Sequence, residues 1–94
     1  MKTYSVPLFS IIIPVYNAMQ YIPRLIESLF EKQSLNREYY EVIAVNDGSK
    51  DKSLNLLLEY ANKYSNLIVL DKSNGGAPSA RNVGIKAAKG KYMT

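Results

Sequence analysis

Three short and nearly unbroken apolar runs constrain this chain more than any other feature: Leu8-Phe9-Ser10-Ile11-Ile12-Ile13-Pro14-Val15-Tyr16, Val42-Ile43-Ala44-Val45 and Leu67-Ile68-Val69-Leu70. Hydrophobicity that is continuous rather than alternating marks strands covered on both faces, as in a parallel sheet. Between the runs the period changes. Tyr21, Ile22, Leu25, Ile26, Leu29 and Phe30 recur at helical spacing, as do Leu54, Leu57, Leu58, Ala61 and Tyr64. Strands alternating with helices imply right-handed βαβ units. The expected fold class is therefore α/β, a Rossmann-like half-sheet of parallel strands flanked by helices.

The punctuation residues set the expected boundaries. Pro14 cannot donate to a ladder, so the first strand should stop near it and leave Val15, Tyr16 and Asn17 to form a loop. Asn17 is a candidate helix N-cap, with Gln20 where a capping box would use it. Pro23 fits a first helical turn, which predicts a loose lead-in over 18–22 and a regular helix from about Pro23 to Gln33, then a polar connector from Ser34 to Tyr40. Ser49 and Asp51 can each cap the second helix, which ends at Asn66. A helix from Pro78 to Ala88 carries a small-residue face of Ala80, Val83, Gly84, Ala87 and Ala88. Gly90 stops it, and Lys91-Tyr92-Met93-Thr94 reads as the start of a fourth strand.

With 94 residues and 47% hydrophobic content the chain is one small domain or part of a larger one. A formal charge of +4 suits anionic partners, but the basic residues are scattered, as on a solvated surface, and nucleic acid is not an expected partner. The chain has no cysteine and no histidine, which removes disulfides, the usual zinc sites, thiol nucleophiles and Ser-His or Cys-His triads from this stretch. The polar beginning, Met1 to Pro7, does not read as a signal peptide, and no run reaches the roughly 18 apolar residues of a membrane span. The expected location is cytoplasmic, with a peripheral place at the inner face of the membrane as its variant.

In an open α/β sheet, ligands bind at the carboxyl ends of the strands. A dinucleotide fold would need a Gly-x-Gly-x-x-Gly turn there, whereas the first turn is Pro14-Val15-Tyr16-Asn17-Ala18-Met19-Gln20. A phosphate loop is missing too, because Gly90-Lys91-Tyr92 follows a helix. The turn offers Tyr16, which can lie flat on a nucleobase, and the second run delivers Asp47, which can accept a base N–H such as the imide of uracil. Two ordinary readings stand beside these: Tyr16 as a half-buried loop aromatic, and Asp47 as the leading residue of a turn that caps its own backbone.

Ser10-Ile11-Ile12-Ile13-Pro14-Val15-Tyr16-Asn17, then Glu41 through Ser49 with Asp51 and Ser53, then Asn74-Gly75-Gly76 leading into Ala80-Arg81-Asn82-Val83-Gly84 and Ala88-Lys89-Gly90-Lys91-Tyr92, follow one another in an order and spacing that resembles the family 2 glycosyltransferases of the GT-A fold. The resemblance runs from Pro7 onward. It implies that residues 1–94 are an incomplete, N-terminal nucleotide-binding part of a GT-A domain, in an enzyme of cell-envelope polysaccharide biosynthesis that transfers a sugar, with inversion, from a nucleotide-diphosphate donor, a UDP-sugar above all.

Carried over residue by residue, the resemblance places Tyr16 on the base, with Pro14 and Val15 lending backbone contacts, and Asp47 at the base edge. It places Arg81 near the same pocket, holding a phosphate or forming an ion pair that orients Asp47. It further implies a divalent metal, Mn or Mg, bound by an Asp-x-Asp motif that would follow Thr94, a catalytic carboxylate in the C-terminal part, and a glycan or lipid-linked acceptor. The stretch would thus hold no catalytic and no metal-binding residue and be inactive alone. Two other classes of function remain: a non-catalytic nucleotide-binding module, and a protein-interaction fragment or homo-oligomer that pairs through an exposed sheet edge.

Overall fold

A computed structural model describes residues 7–32, 36–90 and 92–94. Its elements follow the expected alternation: β1 (Phe9–Val15), α1 (Ile22–Ile26, continued by a π-helical turn Glu27–Glu31), a 3-10 turn Arg37–Tyr39, β2 (Tyr40–Asp47), α2 (Ser53–Lys63), β3 (Leu67–Lys72), α3 (Ala77–Ala87) and β4 (Tyr92–Met93). All pairings are parallel, in the order β3-β2-β1-β4. The order reverses after β3, so β1 and β4 flank the topological switch point, the place where such sheets open a crevice for ligands.

Alternation along the strands explains the continuous apolar runs. Val42 and Ala44 of β2 pack with Val15, Ile22, Ile26, Phe30, Leu57 and Tyr64 under α1 and α2. Ile43 and Val45 point the other way and pack with Ile12 and Ala80 under α3. All eight residues of β2 are buried. The small face of α3 lets it lie close to the sheet: a Cβ on Gly84 would sit 2.4 Å from Ile12 Cγ2. At the base of the sheet the buried Glu41 carboxylate accepts from Ser10 Oγ (2.6 Å) and from the backbone N–H of Lys89 (2.7 Å), while Ser10 Oγ accepts from Gly90 N–H (2.8 Å). This cluster ties the turn after α3 to β1 and β2.

Several boundaries differ from expectation, each for a local reason. β1 runs through Pro14 to Val15, with Pro14 paired in register with Val45 of β2. Ile12 N–H faces β4 and donates to Thr94, so by alternation the missing N–H of Pro14 falls on the β4 side, beyond the last ladder bond, where no donor is needed. Asn17 does not cap α1: it has φ of 48°, the N-cap residue is Tyr21, and the Asn17 side chain turns to the loop before α2. β3 continues two residues past Leu70, and Leu58 lies exposed outside the α2 stripe. The expected helix end at Gln33, the connector start at Ser34 and the strand start at Lys91 lie outside the described residues.

Candidate functional site

Strand parity decides which side chains meet at the carboxyl edge of the sheet. Asn46 and Asp47 are consecutive on β2 and so face opposite sides. Each finds its register partner on β3, Asp71 and Lys72 respectively. On the α2 side, Asn46 Nδ2 donates to Asp71 Oδ1 (2.9 Å) and Asn46 Oδ1 accepts from Ser49 Oγ. On the α3 side, Lys72 Nζ donates to Asp47 Oδ1 at 2.9 Å.

The turn between β3 and α3 closes over the same carboxylate. Gly75 N–H donates to Asp47 Oδ1 (3.0 Å), Gly76 N–H to Oδ2 (2.9 Å), and Asn74 Nδ2 to the Asp47 carbonyl (3.0 Å). The Asp47 side chain is only 4% exposed. Lys72 above all, then the two glycine N–H groups, hold the Asp47 carboxyl below its ordinary value of 3.8, against the opposing effect of burial. The expected capping of its own turn is not what the carboxylate does: Asp47 caps the turn that follows β3 instead.

The β1–α1 loop is fastened to the turn before α2 by three consecutive N–H groups. Asn17 N–H donates to Ser49 Oγ (2.9 Å), Ala18 N–H to Ser53 Oγ (3.0 Å) and Met19 N–H to Asp51 Oδ2 (3.3 Å), while Asn17 Oδ1 accepts from Lys50 N–H (2.7 Å). Asp51 also accepts from the Ser53 hydroxyl and N–H, and these bonds keep its carboxyl low, the hydroxyl contributing most. The consequence is positional. Tyr16, 48% exposed, leaves β1 beside the end of β2 on a loop anchored at both flanks.

Of the residues singled out in the sequence, Val15 is buried, Pro14 is half-buried in β1, and Tyr16 and Asp47 stand at the ends of adjacent strands. Arg81, exposed on α3, donates to the Ile12 carbonyl of β1 (3.4 Å). It does not form the expected ion pair with Asp47, because Lys72 fills that place from the neighbouring strand. Sequence reading missed Lys72. The available signal was spacing, since Lys72 lies two residues past Leu70 on the same strand face.

A separate open cleft of about 560 Å³ lies on the α2 side, lined among others by Asn46, Ser49, Asp51, Asn55, Asp71 and Lys72. None of Pro14, Val15, Tyr16, Asp47 or Arg81 lines it. Among the described residues no group of three or more His, Cys, Asp or Glu is placed to hold a metal ion, so the residues present do not fit the divalent metal that the resemblance implies. Nor is any helix among them long and apolar enough to cross a membrane.

Comparison with known proteins now bears on this geometry. The family model described as Glycosyl transferase family 2 matches residues 10–94. The chain is 45% identical over 86 residues to the minor teichoic acid biosynthesis protein GgaB of Bacillus subtilis, covering 90% of this chain and 9% of that protein. Among solved structures it is similar to S. aureus TarS 1-349 in complex with UDP-GlcNAc, with a TM-score of 0.82, 40% identity, and coverage of 92% of this chain and 25% of TarS 1-349. The mannosyltransferase PcManGT of Pyrobaculum calidifontis, solved with GDP-Man and Mn2+, shares the fold at a TM-score of 0.74 and 23% identity, covering 93% of this chain and 28% of that one. The chain spans between 9% and 28% of the chains it is compared with here.

Proposed function

The chain belongs to glycosyl transferase family 2, and from that premise we propose that residues 1–94 form the donor-nucleotide-binding part of a GT-A glycosyltransferase that uses a UDP-sugar. In the reaction an acceptor hydroxyl oxygen bonds to the anomeric carbon as the bond from that carbon to the diphosphate breaks. UDP departs with the electron pair, and the hydroxyl proton passes to a base. The acceptor, a glycan or lipid-linked hydroxyl compound, the base and the divalent Mn or Mg ion are assigned to parts of a longer protein, and location at the inner face of the membrane goes with that acceptor. The likeness to TarS solved with UDP-GlcNAc supports the choice of donor.

One observation carries the reading to residues. A carboxylate offers about four acceptor positions, and Asp47 has three filled: two on Oδ1, by Lys72 and Gly75, and one on Oδ2, by Gly76. A single position remains, on Oδ2. Uracil presents one ring N–H, which matches it; guanine presents two adjacent donors and would ask for both oxygens. In this reading Tyr16 stacks on the base from the neighbouring strand end, the backbone of Pro14 and Val15 lines its edge, and Arg81 reaches a phosphate.

Calorimetric titration with UDP and GDP tests it. Saturable binding of UDP, weaker binding of GDP, and a loss on Asp47→Ala of about tenfold or more in UDP affinity are expected, since a base donor would be left unpaired. Absence of saturable UDP binding by the wild-type chain, or an Asp47→Ala dissociation constant equal to wild type, overturns the reading.

A further inference from the structure

The three donors that hold Asp47 are not equivalent. Two of them, the N–H groups of Gly75 and Gly76, belong to the turn that covers the carboxylate; the third, Lys72 Nζ, is carried by β3 in direct register with Asp47. Because the Asp47 side chain is only 4% exposed, access of a ligand N–H to the remaining Oδ2 position calls for some shift of the covering turn. A strand-borne donor stays in place when a turn moves. Lys72 is suited to this: its side chain is 18% exposed, its ammonium also donates to the Ser73 carbonyl (2.6 Å), and it lies so close under the turn that a Cβ on Gly75 would be 2.9 Å from Nζ.

We propose that Lys72 is a positioning residue for nucleotide recognition, the strand-borne donor that keeps Asp47 aimed while the Gly75–Gly76 turn shifts, its N–H bonds kept, to admit the base to the remaining Oδ2 position. The proposal rests on the donor-binding reading above. Lys72 touches no substrate; it acts through Asp47. Lys50 and Lys52, exposed in the turn before α2, make no bond to Asp47, and three other charged groups near this edge have partners of their own. Arg81 on α3 bonds to the Ile12 carbonyl, Asp71 on β3 bonds to Asn46, and Asp51 in the turn before α2 bonds to Ser53 and Met19. Lys72 is also the largest cause of the lowered Asp47 carboxyl, so its loss raises the pH at which Asp47 takes up a proton. A protonated carboxyl offers a proton where the base also offers one, and recognition fails.

The experiment measures UDP affinity of the wild-type chain, Lys72→Met and Lys72→Arg from pH 7 down to pH 4.5. The ratio of wild-type to variant affinity cancels the ionisation of the phosphates. Lys72→Met should bind about tenfold more weakly at pH 7, with the ratio widening as the pH falls, and Lys72→Arg should restore most of the affinity and a flat ratio. A purely structural role would lower affinity by a pH-independent factor. Separately, the Asp47 carboxyl is titrated by NMR without nucleotide, in variants whose amide spectra show them folded. An upward shift of its midpoint in Lys72→Met supports the proposal; an unmoved midpoint, or a pH-independent affinity ratio, overturns it. A wild-type chain that does not bind UDP defeats the donor reading instead, and the carboxyl titration then judges the action of Lys72 on Asp47 by itself.

Discussion

The Ser53 hydroxyl shows how much of the ligand edge depends on single polar atoms. It is fully buried, accepts from Ala18 N–H and donates to Asp51, so one oxygen joins the β1–α1 loop to the start of α2. Ser53→Ala should cost about 1–3 kcal/mol, the penalty for leaving a partly buried N–H unpaired. Urea unfolding measures the loss, and faster amide exchange at Ala18 than at Ile12 localises it. At the same scale the sequence was legible only in part. Asp47 and Tyr16 stood out because a carboxylate after a buried strand and an aromatic in a glycine-free turn are visible without coordinates. Lys72 and Glu41 did not stand out. A lysine after an apolar run reads as solvated, and nothing local shows that Glu41, 6% exposed, answers one N–H group and a hydroxyl from distant elements.

Elements were easier to read, because periodicity reports burial directly. The apolar runs became β1, β2 and β3, and the two helical stripes became α1 and α2. Errors fell where a local rule met a distant neighbour: Asn17 is a good cap by type, yet Lys50 N–H claims its side chain. α3 illustrates the reverse, a helix whose weak stripe succeeds because smallness was its packing code. Gly84→Ala in its middle gains about 1 kcal/mol of helix propensity. It also drives a methyl to 2.4 Å from the stiff, β-branched Ile12, an overpacking cost of about 1–3 kcal/mol. The net expectation is a destabilisation of about 0–2 kcal/mol, read as a lower urea midpoint with an unchanged slope.

For the whole molecule, the two lowered carboxyls set a direction for stability against pH. Asp47 and Asp51 hold their protons less tightly folded than unfolded, so their contribution is complete above the ordinary value of 3.8 and is lost as the pH falls through their lower folded values. Unfolding midpoints should be flat from pH 8 to about 5 and drop below about 4, and the Asp47→Asn, Asp51→Asn double variant should show a shallower drop from a lower plateau. The strand order carries a consequence in folding time rather than in energy. β1, β2 and β3 are joined by successive crossovers, whereas β4 meets β1 with Phe9 opposite Tyr92, nearly the length of the chain apart. Closing that span carries the largest loop entropy in the sheet. The border of the switch point should therefore be the last seam to form, after the strand ends bearing Tyr16 and Asp47 are in register, and pulse-labelled amide exchange would show Ile12 N–H, which bonds Thr94, protected later than Val42 N–H.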